Sequence, residues 1–321
     1  MATAFALVWN LCSQDTQLPF KNFRLWKISQ GDVEKITKVR EMFPKACYGD
    51  WIYERRFSDG VSRIGYDIED DLFLLRLFEA GDLTFAGVVI HDNGRTSRLM
   101  PYRVISELVS SSTYPYKLNQ NKCNQWDAFA REMMSLPAWY SKWFGVARRF
   151  FLYGGGKEFN PEIDEVDRVV DYMIALEAAL VPERDFVGKR LRKRAEAILP
   201  PNGNEDVPKL IQNLYDIRST IAHGSALCAE QKTYLNQEHK RFETLVRQVL
   251  IETLKRFSRD EQERRCQLVN LDDISDDDRE ETLVQVFHLI KNAEKRKHAL
   301  EMLGKVKPKR SSGNTKSGVK E

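Results

Sequence analysis

The chain lacks any cysteine arrangement that carries a metal or a disulfide framework. Its five cysteines, Cys12, Cys47, Cys123, Cys228 and Cys266, form no Cys-x-x-Cys pair, and none stands at ligand spacing from a histidine. Their scatter and odd number fit free thiols in a reducing compartment. No apolar run approaches the roughly 18 residues that a membrane span needs. The stretch Met1 to Leu11 has no basic segment ahead of its apolar residues, so no secretory signal is expected. A strong overall charge is missing too: 50 basic residues against 47 acidic ones leave +3, too little for a molecule-wide attraction to nucleic acid. These absences lead us to expect a cytoplasmic protein with no membrane association and no cofactor.

What is present is enough apolar material for a real core. With 321 residues, 42% of them hydrophobic, the chain has room for about two domains. The charge is unevenly placed. After Gly304 there are six basic residues (Lys305, Lys307, Lys309, Arg310, Lys316 and Lys320) and one acid, Glu321, so the tail holds +5 and the rest about −2.

The first part reads as short apolar runs. Phe5 to Leu11, Phe23 to Ile28 and Leu83 to Ile90 are expected strands, the last followed by Asn93-Gly94 as a hairpin turn. Leu72 to Phe78 is a continuous apolar run that fits a buried strand or a short helix equally well. Ser110 to Gln125 has the Ser, Pro and Asn content of a connector. Beyond it the apolar period changes to that of helices. Helices are expected over 139–151, 164–181, 187–199, 206–223 and 230–257, and a last one, capped by Ser275-x-x-Asp278, runs to Leu303. Gly154-Gly155-Gly156 is followed by no Gly-Lys-Ser/Thr and reads as a helix stop and flexible turn. The expected organisation is an α+β domain over 1–118, a connector over 119–137, an all-α bundle over 138–303 and a disordered basic tail over 304–321.

One position contradicts its own pattern. On a helical wheel Val207, Leu210, Ile211, Leu214, Ile217 and Ile221 form one stripe, and Arg218 falls inside it. A guanidinium cannot shed its charge, so it needs an anion or a polar interface there. Glu177, at the edge of the apolar face of the helix over 164–181, is the expected partner. His223 follows Arg218 by five residues and precedes Gly224, which places it at an exposed helix end where it can take or give a proton near neutral pH. Two readings stand: Arg218 as a core ion-pair residue with His223 as a helix cap, or both as a functional pair. The cluster Lys189, Arg190, Arg192, Lys193 and Arg194 likewise reads as a solvated helix face or as a patch for an RNA backbone. The other histidines, His91, His239, His288 and His298, lie in a turn or among helical charges.

The stretch Leu214-Tyr215-Asp216-Ile217-Arg218-Ser219-Thr220-Ile221-Ala222-His223-Gly224 resembles the signature of the Apea-like HEPN family, a Tyr-x-x-Arg-Ser run leading into His-Gly. Upstream, Ala175-Leu176-Glu177 resembles that family's Ala-Leu-Glu helix, and Arg194 with Ala195-Glu196-Ala197 its following arginine-bearing helix. Order and spacing agree over about 138–258. The resemblance implies a HEPN-type helical bundle that forms a homodimer, and a metal-independent endoribonuclease of defence or toxin type. Arg218 and His223 would then be catalytic, with Tyr215, Ser219, Glu177 and Arg194 in support. In the implied reaction the ribose 2′-hydroxyl attacks the adjacent phosphate and leaves a 2′,3′-cyclic phosphate. Ser219 stands where ribonuclease members often carry Asn, Asp or His, although Ser is usual in the Apea-like branch. A non-catalytic module that binds a protein or nucleic-acid partner, and a basic-tail RNA-binding protein, are the alternatives. In the first reading residues 1–118 sense a trigger or control access, and a regulatory protein partner is expected.

Overall fold

The computed structural model describes residues 2–29, 37, 50–58, 64–92, 95–99, 114–155, 161–184, 186–199 and 206–272. Its strands are β1 (Ala2–Trp9), β2 (Leu11–Cys12), β3 (Gln17–Pro19), β4 (Phe23–Lys27), β5 (Trp51–Phe57), β6 (Thr84–Asp92), β7 (Arg95–Leu99) and β8 (Tyr116–Lys117). Six of them form one antiparallel sheet in the order β3-β4-β5-β1-β6-β7, and β2 pairs in parallel with β8. The central strand shows why. Ala2, Ala4, Ala6 and Val8 point to the main core, while Leu7 and Trp9 join Trp26, Ile52 and Val89 on the other face. That is the period-two alternation of a strand covered on both sides. Asp92 lies opposite Arg95, the register a two-residue hairpin requires. Asn93 and Gly94 themselves lie outside the described residues.

Eight α-helices stand among the described residues: α1 (Ile64–Phe78), α2 (Gln120–Ser135), α3 (Lys142–Gly155), α4 (Pro161–Leu180), α5 (Val187–Ile198), α6 (Val207–Ala222), α7 (Ala229–Arg256) and α8 (Glu261–Val269). The chain is thus α+β, with a helical second part. The apolar run Leu72 to Phe78 is the end of α1. Its periodicity is silent because Asp71, Leu72, Phe73, Leu74, Leu75, Arg76 and Leu77 are all buried, leaving no polar face to set a period.

Residues 119–137, expected as a connector, are mainly helix α2. Asn119 accepts the Lys122 N–H as an N-cap, and Cys123, Trp126, Ala130 and Met133 recur on one buried face. Trp126 meets Phe20 and Phe23 edge-on at 5.0 and 5.1 Å, closing the β3–β4 side of the sheet. The expected helix over 139–151 is divided. Pro137–Tyr140 is a turn of 3-10 helix, and Ser141 then caps α3 by accepting the Phe144 N–H at 3.2 Å. Helix α8 has no counterpart among the expected helices. Asp260 caps it by accepting from Gln262 and Glu263. The helix expected after Ser275 and running to Leu303, and the tail over 304–321, lie outside the described residues.

One core runs through sheet and helices. Tyr53, Phe73, Phe85, Phe144, Phe151, Tyr172 and Phe242 belong to a single buried cluster, so no boundary in packing falls at 118 or 138. Arg76, 1% exposed, crosses this junction. It donates to the carbonyls of Leu152 at 2.8 Å and Phe151 at 3.3 Å and to the Tyr172 hydroxyl at 3.1 Å. Asp82 and Arg168 add an ion pair at 2.7 Å between the segment before β6 and α4.

Gly154 and Gly155 do more than stop a helix, and Gly156 lies outside the described residues. Gly154 and Gly155 are buried in the last turn of α3. A Cβ on Gly155 would lie 1.3 Å from the Arg76 guanidinium, and one on Gly154 would lie 2.5 Å from the Tyr172 ring. The two residues are the seat on which Arg76 and Tyr172 rest.

Candidate functional site

Helix α6 begins at Asp206, whose carboxylate accepts the Lys209 N–H at 3.1 Å. Leu210, Ile211, Leu214 and Ile217 bury one side of it, as the wheel requires. The C-terminal end is set by Gly224 in the left-handed region at φ 72°. Gly224 N–H donates to the Ile221 carbonyl at 2.9 Å and Ser225 N–H to the Thr220 carbonyl at 3.1 Å, the paired bonds of a Schellman ending. His223 is the last residue before this glycine. Its backbone N–H donates to the Ser219 carbonyl at 3.1 Å, and its side chain is exposed.

Arg218 lies a turn and a half back, 28% exposed, at the edge of the apolar stripe rather than within the core. Its Nη2 is 3.4 Å from Glu177 Oε2 on α4, so the structure brings the two expected partners together. They meet through one oxygen only. Glu177 Oε1 and Arg218 Nε are buried without a hydrogen-bond partner. Burial pushes the Glu177 carboxyl up, and the Arg218 charge offsets only part of that. The arginine is therefore held by a single ion pair, with donors left to give. Its guanidinium stands 6.0 Å from the centre of the Tyr215 ring.

The half-buried Tyr215 is itself positioned by a glycine. A Cβ on Gly188, in the first turn of α5, would fall 3.0 to 3.3 Å from the tyrosine ring, so the start of α5 sits directly against the middle of α6. Sequence reasoning passes over Gly188 and its neighbour Phe186. The signal there is a lone glycine at the head of an otherwise charged helix. Ser219 contributes its carbonyl to the helix end and is half-buried.

Arg194 belongs elsewhere. It is fully buried and donates to both oxygens of Glu183, both of Asp272 and the Leu180 carbonyl, at 2.6 to 3.1 Å. Burial pushes the Glu183 carboxyl up, but the hydrogen bonds and charge of Arg194 more than reverse this and hold it low. Arg194 thus closes the end of α4 and is not part of the Arg218–His223 surface. Arg190 turns the same way, toward Glu183 at 3.6 Å and Asp272 at 3.9 Å. Of the five-residue basic cluster, Lys189 is exposed and Arg192 and Lys193 are half-buried.

His91 lies in β6, with its Nδ1 3.2 Å from the Thr96 hydroxyl, and His239 Nδ1 is 2.9 Å from the Asn236 carbonyl. Cys12 and Cys228 are exposed free thiols, and Cys123 and Cys266 are buried ones. Among the described residues no group of three or more His, Cys, Asp or Glu is placed to hold a metal ion, and no helix is long and apolar enough to cross a membrane. No family model, no curated protein and no solved structure matches this chain.

Proposed function

We propose that this chain is a cytoplasmic, metal-independent endoribonuclease of the defence or toxin type, with a HEPN-type helical module carrying Arg218 and His223 as its catalytic pair. The observation that supports it is the state of Arg218. It is a permanent cation kept at the surface by one ion pair to Glu177, on the same helix as an exposed terminal imidazole. His223 moves the proton of the attacking 2′-hydroxyl or of the leaving 5′-oxygen, and Arg218 balances the charge that builds on the phosphate. Glu177 acts through Arg218, as a positioning residue. On an ideal helix five residues separate two groups by about 140° and about 7.5 Å, and His223 stands just past the last residue of α6. Two copies related by a two-fold axis supply an arginine and a histidine to each side of a shared cleft.

The test is RNA cleavage by the purified chain in EDTA, with product ends identified. Cleavage leaving 2′,3′-cyclic phosphates, and its loss in both Arg218→Ala and His223→Ala, is the expected result, together with a dimer on sedimentation. Cleavage that survives in His223→Ala, or that needs a divalent ion, overturns the reading.

A further inference from the structure

Phe186 is the most exposed of the large apolar side chains described, at 73%. It is also held in the left-handed backbone region, at φ 54°, where a bulky side chain is disfavoured. Only one other described non-glycine residue has a positive φ, and that is Asn10, a residue type that tolerates it. Phe186 therefore bears two costs, backbone strain and exposure of a ring to water. Such a conformation persists at places where the side chain is used.

Its surroundings say for what. Phe186 precedes the first turn of α5, whose Gly188 rests on Tyr215, and the Tyr215 ring in turn faces the Arg218 guanidinium at 6.0 Å. Among the described residues the outward-facing charged neighbours are cationic; Asp185, which directly precedes Phe186, lies outside the described residues. Arg184 and Lys189 are exposed, and Arg192 lies on the Gly188 side of α5, donating its Nε to the Gly188 carbonyl at 3.2 Å. The nearby described carboxylates are engaged: Glu183 by Arg190 and Arg194, Glu177 by Arg218, Asp216 by Gln212. A protein-docking face would carry contiguous apolar area. Among the described residues one aromatic ring stands alone here, and the other exposed large apolar side chains, Tyr66, Met134, Tyr140 and Val146, belong to other elements. A solitary ring fringed by cations is the pattern that takes an unstacked base with a phosphate on either side.

We infer that the α5–α6 junction is a holding surface for single-stranded RNA, with one base stacked on Phe186 and the flanking phosphates met by Arg184, Lys189 and Arg192, leading the strand toward Arg218. This rests on the reading of Arg218 and His223 given above. Duplex RNA hides its base faces and is a poor ligand here.

The experiment uses the full chain carrying His223→Ala, which binds without cutting, and follows a labelled oligouridine by fluorescence anisotropy at several salt concentrations. Phe186→Ala and Phe186→Gly weaken binding by roughly five- to a hundredfold, whereas Phe186→Trp retains it. Phe186→Gly melts no lower than its parent, because glycine adopts positive φ without strain, so its weaker binding is not a failure to fold. Lys189→Gln with Arg192→Gln makes the salt dependence shallower, by about 0.7 in the log–log slope for each phosphate that is no longer neutralised. Binding by the Ala and Gly variants equal to that of the parent overturns the inference. So does a change in association state on sedimentation with RNA binding intact, which makes the surface a protein interface. If the His223→Ala chain fails to bind oligouridine while the unmodified chain still cuts RNA, this surface is refuted and the catalytic reading stands. If the chain neither binds nor cuts, both fall.

Discussion

Arg218 and Glu177 meet at 3.4 Å with 28% and 20% of their side chains exposed, and neither group uses all its hydrogen-bonding atoms. A pair so placed is worth little, about 0.5 to 1 kcal/mol. A double-mutant cycle of Arg218→Ala and Glu177→Ala, read by thermal or urea unfolding, should return a coupling energy in that range. A value near zero would mean that the guanidinium is held by its apolar surroundings alone. Two other carboxyls carry a pH signature. Burial raises Asp71 to about 6 despite Arg55 and the Tyr53 hydroxyl, and raises Glu69 to about 7 despite Arg148. Each binds its proton more tightly folded than unfolded. Their contribution to stability is therefore full below about pH 4 and is lost as pH rises through 6 and 7. Glu69→Gln should melt above the unmodified chain at pH 8, and the difference should shrink as pH falls, reaching zero only near pH 4. A constant difference across that range would place the effect elsewhere.

The elements are joined by a device repeated three times. Arginines buried to 1% or less bring N–H donors to helix C-termini, where the last carbonyls have no partner of their own. Arg76 does this at α3, while Arg194 and Arg264 converge on α4, Arg264 donating to the Ala179 carbonyl at 2.7 Å and lying over the Trp143 ring at 4.5 Å. The arrangement needs clearance, which α3 provides with glycine. Gly145 and Gly155 lie on that same helix in opposite circumstances: nothing lies within 4 Å of a Cβ at Gly145, while Arg76 fills the place at Gly155. Gly145→Ala should stabilise by about 0.5 to 1 kcal/mol. Gly155→Ala should destabilise by about 3 kcal/mol or more, because it drives a buried cation off its acceptors. Chemical denaturation of the two variants separates these outcomes, and equal effects would remove Arg76 from its assigned role.

This device also marks where the sequence stops being readable. Helices α4, α5, α6 and α7 are legible to within a few residues because each has one apolar stripe and a clear stop, and so is the conflict between Arg218 and its stripe. Helix α1 is ambiguous because it is buried almost all round, and α2 is hidden by Asn, Gln and Lys between its few apolar anchors. Three consecutive glycines look like slack when nothing in the sequence shows which arginine will fill the space. Arg194 likewise sits among five cations in six residues, where only the angle round the helix sets it apart from Arg190 and Arg192. Phe186 itself is marked only by the lone Gly188 that follows it, since its exposure depends on where α5 docks.

At the scale of the whole molecule, the sheet and the helices share one core. Phe73 of α1 stacks edge-on with Phe144 and Phe151 of α3 at 5.7 Å each, and Trp126 of α2 closes the sheet. A chain begun at residue 138 would expose the apolar faces of α3, α4 and α7, and should aggregate or lose its fixed near-ultraviolet signal. The full chain should unfold in a single calorimetric transition. Two separated transitions would show that the parts are thermally independent.

The Arg76 clasp has a consequence for motion. Its guanidinium belongs to α1, its acceptors to α3 and α4, and its seat to two glycines, so none of these can open while the others stay closed. Amide hydrogens in the last turn of α3 and in the middle of α1 should therefore exchange with solvent deuterium at a common free energy, as one cooperative unit. His223 at the end of α6 has an exposed side chain, and the last turn is held mainly by backbone bonds and two hydrogen bonds at the Thr220 hydroxyl, so its amides should exchange earlier. The proposed catalytic imidazole would then stand at a fraying edge of a molecule whose centre opens all at once.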